Sequence, residues 1–281
     1  MATLPVESAE LLTDQPPRAR RRRLMSVRIF LGLLALFAIG SGWVVLRGYR
    51  QLAAIQAIEK LGGSVEQDPV GLPWLRRLLG EDQMRMFDEV ISVSVSADAG
   101  LQHLRGFTTV KTLHLYVPQV TDAGLRHLRG LTSLKSLSIY GLSRKDAKVT
   151  DAGLQYLSAL TGLESLSLER TQVTDAGIPH LRGLTMLKCL NLDGTQVTDT
   201  GLQHLRALTA MEWLSLEHTR VTDLGLQHLR GVTALKWLYL CDTKVTDIAV
   251  TDLENALPGL KFHRKRRHLT DPRTTAFQVT P

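Results

Sequence analysis

A phrase that returns every 24 residues constrains the fold of this 281-residue chain more than any other feature. Most copies contain Val-Thr-Asp, and the interval from one Asp to the next is 24 residues except for a single step of 29. The seven copies begin at Asp98, Asp122, Asp151, Asp175, Asp199, Asp223 and Asp247. A period of this length predicts stacked units, each of which buries its apolar face against its neighbours.

The apolar positions within each copy predict one short strand and one short helix. The strand pattern Leu-x-x-Leu-x-Leu is clear at Leu187, Leu190 and Leu192, where the last two apolar positions alternate with polar ones. Such alternation turns one strand face toward a core and the other toward solvent. Leucines at three-residue spacing, such as Leu125 and Leu128, supply the second wall of the core. The Thr-Asp pair before each helix predicts a side-chain N-cap.

These motifs resemble the leucine-rich repeats of the cysteine-containing, ribonuclease-inhibitor-like class, and most closely those of bacterial membrane-anchored repeat proteins. The resemblance covers roughly residues 90–262. It departs from the family in one column, where Thr171, Thr195, Thr219 and Thr243 stand in place of the usual Asn or Cys. A Thr hydroxyl can still bond the turn backbone there. The resemblance implies an α/β solenoid with parallel strands on a concave face, short helices on a convex face and a surface for recognition.

A membrane segment is predicted over residues 29–46, from Ile29 to Leu46, because this run contains no charged side chain. At about 1.5 Å per residue it crosses most of a hydrocarbon layer of roughly 30 Å. Six Arg precede it and two follow closely, which predicts a single-pass protein with a cytoplasmic N-terminus and extracytoplasmic repeats. A cleavable signal peptide, with Ala38 and Gly40 before the cut, would also export the repeats. A buried core helix is the third alternative.

The predicted organisation has five parts. Residues 1–28 are expected to be a cytoplasmic disordered basic tail, 29–46 a transmembrane signal anchor, 47–89 a juxtamembrane helix and N-terminal cap, 90–262 the solenoid, and 263–281 a flexible basic tail. The net charge of +7 resides at the two ends, since residues 1–28 carry +3, residues 29–97 carry −1, residues 98–259 sum to zero and residues 260–281 carry +5. A neutral solenoid argues against a nucleic-acid partner.

Catalytic and metal-binding patterns are not recognisable in the sequence. It offers no nucleophile with a base, no paired acids in a pocket and no phosphate-binding loop, so we expect no enzymatic activity, no cofactor and no small-molecule substrate. Cys189 and Cys241 are predicted to face solvent about 16 Å apart, too far for a disulfide. No Cys or His has the spacing of a zinc motif, so no metal site is predicted.

A column of histidines repeats on the predicted helices, and two interpretations are open. The column consists of His103, His127, His180, His204 and His228. Imidazole is a common metal ligand and titrates near neutral pH, which would allow a metal or proton-relay ladder. The simpler interpretation is a surface position that recurs because the repeats recur.

The predicted function is protein recognition by the concave face, with a carbohydrate or an anionic polymer at the cell envelope as the alternative ligand. The outward strand positions of early repeats hold small residues, whereas later repeats hold Trp213, Trp237 and Tyr239 on adjacent strands about 5 Å apart. Trp and Tyr are enriched at binding hot spots. The predicted charged border consists of Glu212, Glu217, Lys236 and Asp242. Alternatively, the aromatic side chains only shield one another near the C-terminal cap.

Overall fold

The computed structural model describes residues 46–70, 76–77, 80 and 84–264. The chain divides into two compact units, Met1–Tyr49 and Arg50–Pro281, and the repeats belong to the second. Residues 1–45, and with them most of the predicted membrane segment, lie outside the described residues, as does the predicted basic tail beyond residue 264. No helix in the described part of the chain is long and apolar enough to cross a bilayer.

One sheet of nine strands, placed side by side in chain order, organises the described residues of the second unit. The strands are β1 (Ser64–Asp68), β2 (Glu89–Ala97), β3 (Thr112–Gln119), β4 (Ser136–Gly141), β5 (Ser165–Ser167), β6 (Cys189–Asn191), β7 (Trp213–Ser215), β8 (Trp237–Tyr239) and β9 (Lys261–His263). Only the β1–β2 pair is antiparallel. The register aligns equivalent repeat positions, so that Leu190 lies between Leu166 and Leu214. The predicted α/β solenoid with parallel strands is therefore confirmed.

Short helical segments return the chain from one strand to the next. An α-helix at residues 46–60 precedes β1, and the α-helical segments of the repeats are Asp98–Leu101, Asp122–Leu125, Asp151–Leu154, Asp199–Leu202, Asp223–Leu229 and Asp247–Ala256. The 3-10 segments are Gln102–Gly106, Arg126–Gly130, Leu157–Ala159, Ile178–Leu181 and Gln203–Ala207. In the repeat that begins at Asp175 the only helical segment is of the 3-10 type, and Pro179 lies in its first turn. Proline suits that position because first-turn amides have no partner within the helix.

A continuous core lies between the sheet and the helical segments. Leu190 and Leu214 from the sheet, and Leu181 and Leu205 from the helical side, are all 0% exposed. Full burial of one such side chain contributes roughly 1.5–3 kcal/mol. Because each leucine contacts neighbouring repeats, no repeat can bury its apolar residues alone.

The N-terminal end of the sheet is closed by β1 and by the helix that precedes it. Ile55 and Ile58 of that helix are 0% exposed and belong to the same core. Gln51 Nε2 donates a hydrogen bond of 2.6 Å to the Asp88 carbonyl oxygen, which ties the helix to the start of β2. β1 therefore covers the edge of β2, the first parallel strand, and prevents β2 from pairing with another chain.

The Val-Thr-Asp phrase links consecutive repeats through a ladder of carboxylate bonds. Asp175 accepts two hydrogen bonds from the next repeat, one from Thr198 N at 2.7 Å and one from Thr198 Oγ1 at 2.5 Å. Six such links form the Asp–Thr ladder: Asp98 to Thr121, Asp122 to Thr150, Asp151 to Thr174, Asp175 to Thr198, Asp199 to Thr222 and Asp223 to Thr246. The phrase therefore joins repeats to one another.

The predicted N-caps are present in part. The hydroxyl of Thr198 accepts a hydrogen bond from the Thr200 amide, and three further threonines cap their helices in the same way. Thr121 makes no such bond. In five repeats the glycine two residues after the Asp also leaves room for the ladder; a Cβ on Gly201, for example, would lie 2.5 Å from Asp175 Oδ1.

The unusual Thr column has the predicted role. Thr195 is 0% exposed and its hydroxyl donates a 2.6 Å hydrogen bond to the Leu192 carbonyl oxygen. The equivalent bonds join Thr171 to Leu168, Thr219 to Leu216 and Thr243 to Leu240. Thr therefore satisfies the turn backbone at the position that Asn or Cys occupies in related repeats.

Candidate functional site

The candidate site lies on the strand face, which we define as three columns of side chains on the solvent side of the sheet. The first column contains Thr112, Ser136, Ser165, Cys189, Trp213, Trp237 and Lys261, and the second contains His114, Ser138, Ser167, Asn191, Ser215, Tyr239 and His263. The third contains Tyr116, Tyr140, Glu169, Asp193, Glu217 and Cys241. Backbone hydrogen bonds from Gly194 to Glu217 and from His218 to Cys241 continue the alignment of the third column beyond the strands.

The structure brings the three predicted aromatic residues together. Trp213 and Trp237 are register partners on β7 and β8, and the ring centroids of Trp213 and Tyr239 are 5.1 Å apart. Trp237 is 41% exposed. Lys261 Nζ lies 4.7 Å from the Trp237 ring centroid, a cation–π distance. We call Trp213, Trp237 and Tyr239 the aromatic cluster.

The predicted charged border divides between the two ends of the strands. Glu212 and Lys236 form a 2.7 Å ion pair just before β7 and β8. The hydrogen bond from Lys236, reinforced by its charge, lowers the pKa of Glu212. Glu217 and Asp242 lie beyond the strands, where Glu217 Oε1 is 3.3 Å from His263 Nδ1. Asp242 is on a turn with a positive φ of 53° and lies 3.3 Å from His218.

A row of carboxylates runs along the third column beside the aromatic cluster. This acidic row consists of Glu169, Asp193 and Glu217. Asp193 Oδ1 accepts hydrogen bonds from Ser215 Oγ at 2.5 Å and from Glu217 N at 2.7 Å. Burial raises the pKa of Asp193, the two hydrogen bonds oppose that shift, and the charges of Glu217 and Glu169 add to it. The row gives this edge of the strand face a negative potential.

A second aromatic pair lies at the N-terminal end of the third column. The Tyr116 and Tyr140 rings meet edge to face with centroids 4.6 Å apart, and Tyr116 is 46% exposed. Burial and a hydrogen bond with Tyr116 raise the pKa of Tyr140 to about 12. Leu142, on the insertion that lengthens this repeat, is 85% exposed nearby in sequence. Sequence reasoning missed this pair because it compared only the first two columns.

The cysteine environments differ from the sequence expectation in one respect. Cys189 is half-buried on the first column, but Cys241 is only 8% exposed, so its predicted solvent exposure is wrong. The reason is β9, which places His263 Nδ1 3.4 Å from Cys241 Sγ. Glu217, Cys241 and His263 thereby form a cluster whose donor atoms lie within 4.8 Å of one another. Their separations of 24 and 22 residues match no local zinc motif, so no sequence pattern indicated this cluster.

The repeated histidines contact different partners from one repeat to the next. His204 Nδ1 lies 2.5 Å from an Arg182 guanidinium nitrogen of the preceding repeat. His103 Nε2 lies 3.4 Å from its own neighbour, Gln102 Nε2. Among the described residues the one group of three or more possible metal ligands is the Glu217, Cys241 and His263 cluster, which contains no member of this column.

Comparison with known proteins supports the fold. No family model matches the sequence, and no curated protein matches it either. Among solved structures, an internalin (InlF) from Listeria monocytogenes is 24% identical with a TM-score of 0.51, over 64% of this chain and 48% of that one. Internalin C2 from the same organism is 25% identical with a TM-score of 0.45, over 62% of this chain and 70% of that one.

The described structure accounts for about half the length of InlF, so the likeness concerns the repeats. Three observations agree on the fold: the 24-residue period, the parallel strands in chain order and the similarity to InlF. The chain therefore has the fold of a leucine-rich repeat solenoid.

Proposed function

We propose that this protein is a non-catalytic recognition module that binds a protein partner through the C-terminal half of the strand face. The observation that carries the proposal is the aromatic cluster, in which large side chains with polar tips gather on a sheet and Trp237 remains 41% exposed. Trp and Tyr dominate interface hot spots because they bury much area with few rotatable bonds. The fold shared with InlF agrees with this role, because stacked repeats create extended binding surfaces.

The charges around the cluster indicate the chemistry of the partner. The lysines on the entry side of the strands are paired with carboxylates, because Lys135 and Lys188 share Glu164 at 3.0 and 2.8 Å and Lys236 pairs with Glu212 at 2.7 Å. In the acidic row, Glu169 pairs with Arg170 at 3.6 Å, whereas Asp193 and Glu217 form no ion pair with a Lys or Arg of the described residues. A partner that places Lys or Arg opposite the acidic row and an apolar group on the aromatic cluster would match both features.

The charged residues around the cluster also favour a protein partner over the other candidate ligands. An anionic polymer would be repelled by the acidic row, so that alternative is disfavoured. A neutral carbohydrate would need an open aromatic ring face for stacking, and Lys261 occupies one face of Trp237. A protein partner is therefore the better match, and carbohydrate binding is an outcome that the experiment can reveal.

The test compares wild-type full-length protein with Trp213→Ala and Trp237→Ala. Partners captured by the wild type from the source membranes and envelope would be purified, and their affinities measured by surface plasmon resonance. Loss of a hot-spot side chain should cost about 2 kcal/mol or more, which is roughly 30-fold in Kd. The matched control is Leu224→Ala, since Leu224 is 70% exposed on the helical side.

Three results separate the alternatives. Loss of affinity in both Trp variants, with unchanged circular dichroism and an unaffected control, supports the proposal. Unchanged affinity for every purified partner places recognition elsewhere. Retention of the wild type on a glycan array, abolished by the same substitutions and without any protein partner, would assign the surface to carbohydrate.

We also propose that residues 29–46 tether the module to a membrane with the repeats outside. The support is the uncharged run of 18 residues and the excess of Arg before it. A reporter fused after Pro281 tests the topology. Activity of a reporter that works only after export is expected, whereas activity of a reporter restricted to the cytoplasm would reverse the assignment.

A further inference from the structure

Three side chains of different chemistry converge at the C-terminal end of the strand face. Cys241 follows β8, His263 ends β9, and Glu217 follows β7, 46 residues before His263 in the chain. The Cys241 Sγ to His263 Nδ1 distance is 3.4 Å, and the His263 Nδ1 to Glu217 Oε1 distance is 3.3 Å. The stacking of repeats thus assembles a sulfur, a nitrogen and an oxygen donor around one point.

We propose that Glu217, Cys241 and His263 bind a divalent transition-metal ion, with zinc as the best match. Zinc accepts thiolate, imidazole and carboxylate ligands at about 2.3, 2.0–2.1 and 2.0–2.2 Å in tetrahedral geometry. Tetrahedral angles at those lengths place donor atoms about 3.3–3.6 Å apart. The two measured distances fall in that range, and the third pair is within 4.8 Å. Small side-chain rotations would bring all three donor atoms to tetrahedral spacing.

The charge and softness of the donors select the class of ion. A thiolate and a carboxylate supply two negative charges beside a neutral imidazole, which balances a divalent cation. Magnesium and calcium prefer sets of oxygen ligands, whereas a thiolate favours zinc and its neighbours among the transition metals. The inference concerns ligand binding by this chain alone and does not depend on the proposed protein partner.

A catalytic relay explains the same residues less well. In a nucleophile, histidine and acid relay, the base uses one ring nitrogen for the nucleophile and the other for the acid. Here the same atom, His263 Nδ1, faces both Cys241 Sγ and Glu217 Oε1. Because His263 Nδ1, Cys241 Sγ and Glu217 Oε1 all face the same space, one metal ion could contact all three atoms, as in a coordination site.

The surroundings hold the three ligands in place. The Tyr239 ring packs against the His263 ring with centroids 5.0 Å apart. The backbone of Cys241 accepts a 2.9 Å hydrogen bond from His218 N, and the Glu217 amide donates to Asp193 Oδ1 at 2.7 Å. These contacts fix the His263 ring and the backbone that carries Cys241 and Glu217.

Two consequences follow from the position of the site. A bound ion would join the residues after β7 and β8 to β9, and so fasten the final short strand to the array. Three protein ligands leave a fourth tetrahedral position for water or for a donor from another molecule.

The test uses tag-free, full-length protein that has been freed of metal with a chelator. Zinc chloride is titrated by calorimetry, and cobalt(II) chloride is titrated by absorption spectroscopy, since a thiolate–cobalt charge-transfer band reports sulfur coordination. One zinc per chain is expected. Cys241→Ser and His263→Gln should weaken binding by at least about 100-fold, because even outer-shell partners of ligands change affinity by about 10–100-fold.

Cys189→Ser is the matched control, because Cys189 lies on the first column of the strand face and outside the cluster. It should bind zinc as the wild type does and keep the charge-transfer band. Absence of zinc binding by the wild type overturns the proposal, as does wild-type affinity in folded Cys241→Ser. If that variant does not fold, the band in the wild type and in Cys189→Ser supports coordination by Cys241, and its absence from both rejects it.

Discussion

The Asp–Thr ladder and the strand face belong to the same repeats, but the ladder residues are the same in every link whereas the strand-face residues change from repeat to repeat. The ladder uses the same two residue types in all six links, with nearly the same distances. The first column of the strand face changes from Ser165 through Cys189 to Trp213 and Trp237. Stacking therefore depends on residues that are identical in every repeat, and the proposed recognition depends on residues that differ between repeats.

The physical reason is that a solenoid offers each repeat the same neighbours on its stacking surfaces but different neighbours in solvent. A ladder bond forms only if every repeat carries both the Asp acceptor and the Thr donor, so that the Asp of one repeat faces the Thr of the next. Strand-face side chains that make no bond to the next repeat, unlike Asp193, can vary without loss of the fold. Substitutions in the core, the ladder and the helical surface should therefore have effects of decreasing size.

The largest expected effect is in the core. Leu190→Ala removes a side chain that is 0% exposed between two neighbouring strands, and should lower the free energy of unfolding by about 2–5 kcal/mol. Leu224→Ala makes the same chemical change at a residue that is 70% exposed, and should change it by less than about 0.5 kcal/mol. Urea denaturation followed by circular dichroism measures both. Equal losses would mean that the leucine columns do not share one cooperative core.

A smaller effect is expected in the ladder. Asp175→Ala leaves the Thr198 amide without its acceptor and should cost about 1–3 kcal/mol. Gly201→Ala should cost about 1–3 kcal/mol through overpacking, since its Cβ would lie 2.5 Å from Asp175 Oδ1. The double variant tests the link, because removal of the carboxylate relieves that clash. Denaturant unfolding of all three variants should show a combined loss smaller than the sum, and strict additivity would contradict the assigned contact.

The fold was predictable from sequence because its strongest signals are local. Leu187, Leu190 and Leu192 reveal a strand within six residues, and the same apolar triplet occurs in six successive repeats. The role of the ladder was only partly predictable. A Thr before a helix suggests an N-cap, but the Asp175 to Thr198 bond spans 23 residues and becomes visible only once the repeats are stacked.

In the candidate site, too, the contacts that follow the repeat period were predictable and the others were not. Trp213 and Trp237 could be predicted to meet because they occupy one column at the repeat period, and they are register partners. Glu217 and His263 could not, because β9 is a short strand whose sequence departs from the leucine pattern and whose place beside β8 sets the contact. Contacts that depend on the irregular ends of an array are the ones that periodicity does not reveal.

The smallest expected effect concerns the histidine column, where repetition does not bring a shared contact. Burial lowers the pKa of His204 below its usual 6.5, Arg182 lowers it further, and Asp175 opposes the shift. The unfolded chain therefore binds this proton more readily than the folded protein. The contribution of His204 to stability is complete above pH 6.5 and is lost as the pH falls through the lower pKa of the folded state.

Urea denaturation at about pH 7.5 and about pH 5.5 measures that loss. Wild-type protein should lose more stability on acidification than His204→Gln, which cannot take up the proton. Arg182→Gln should reduce the loss without abolishing it, because burial is the larger cause and the guanidinium, whose nitrogen lies 2.5 Å from His204 Nδ1, is the second. The same loss in wild type and His204→Gln would show that this repeated histidine does not respond to its neighbours, and that its recurrence reflects duplication of the repeat alone.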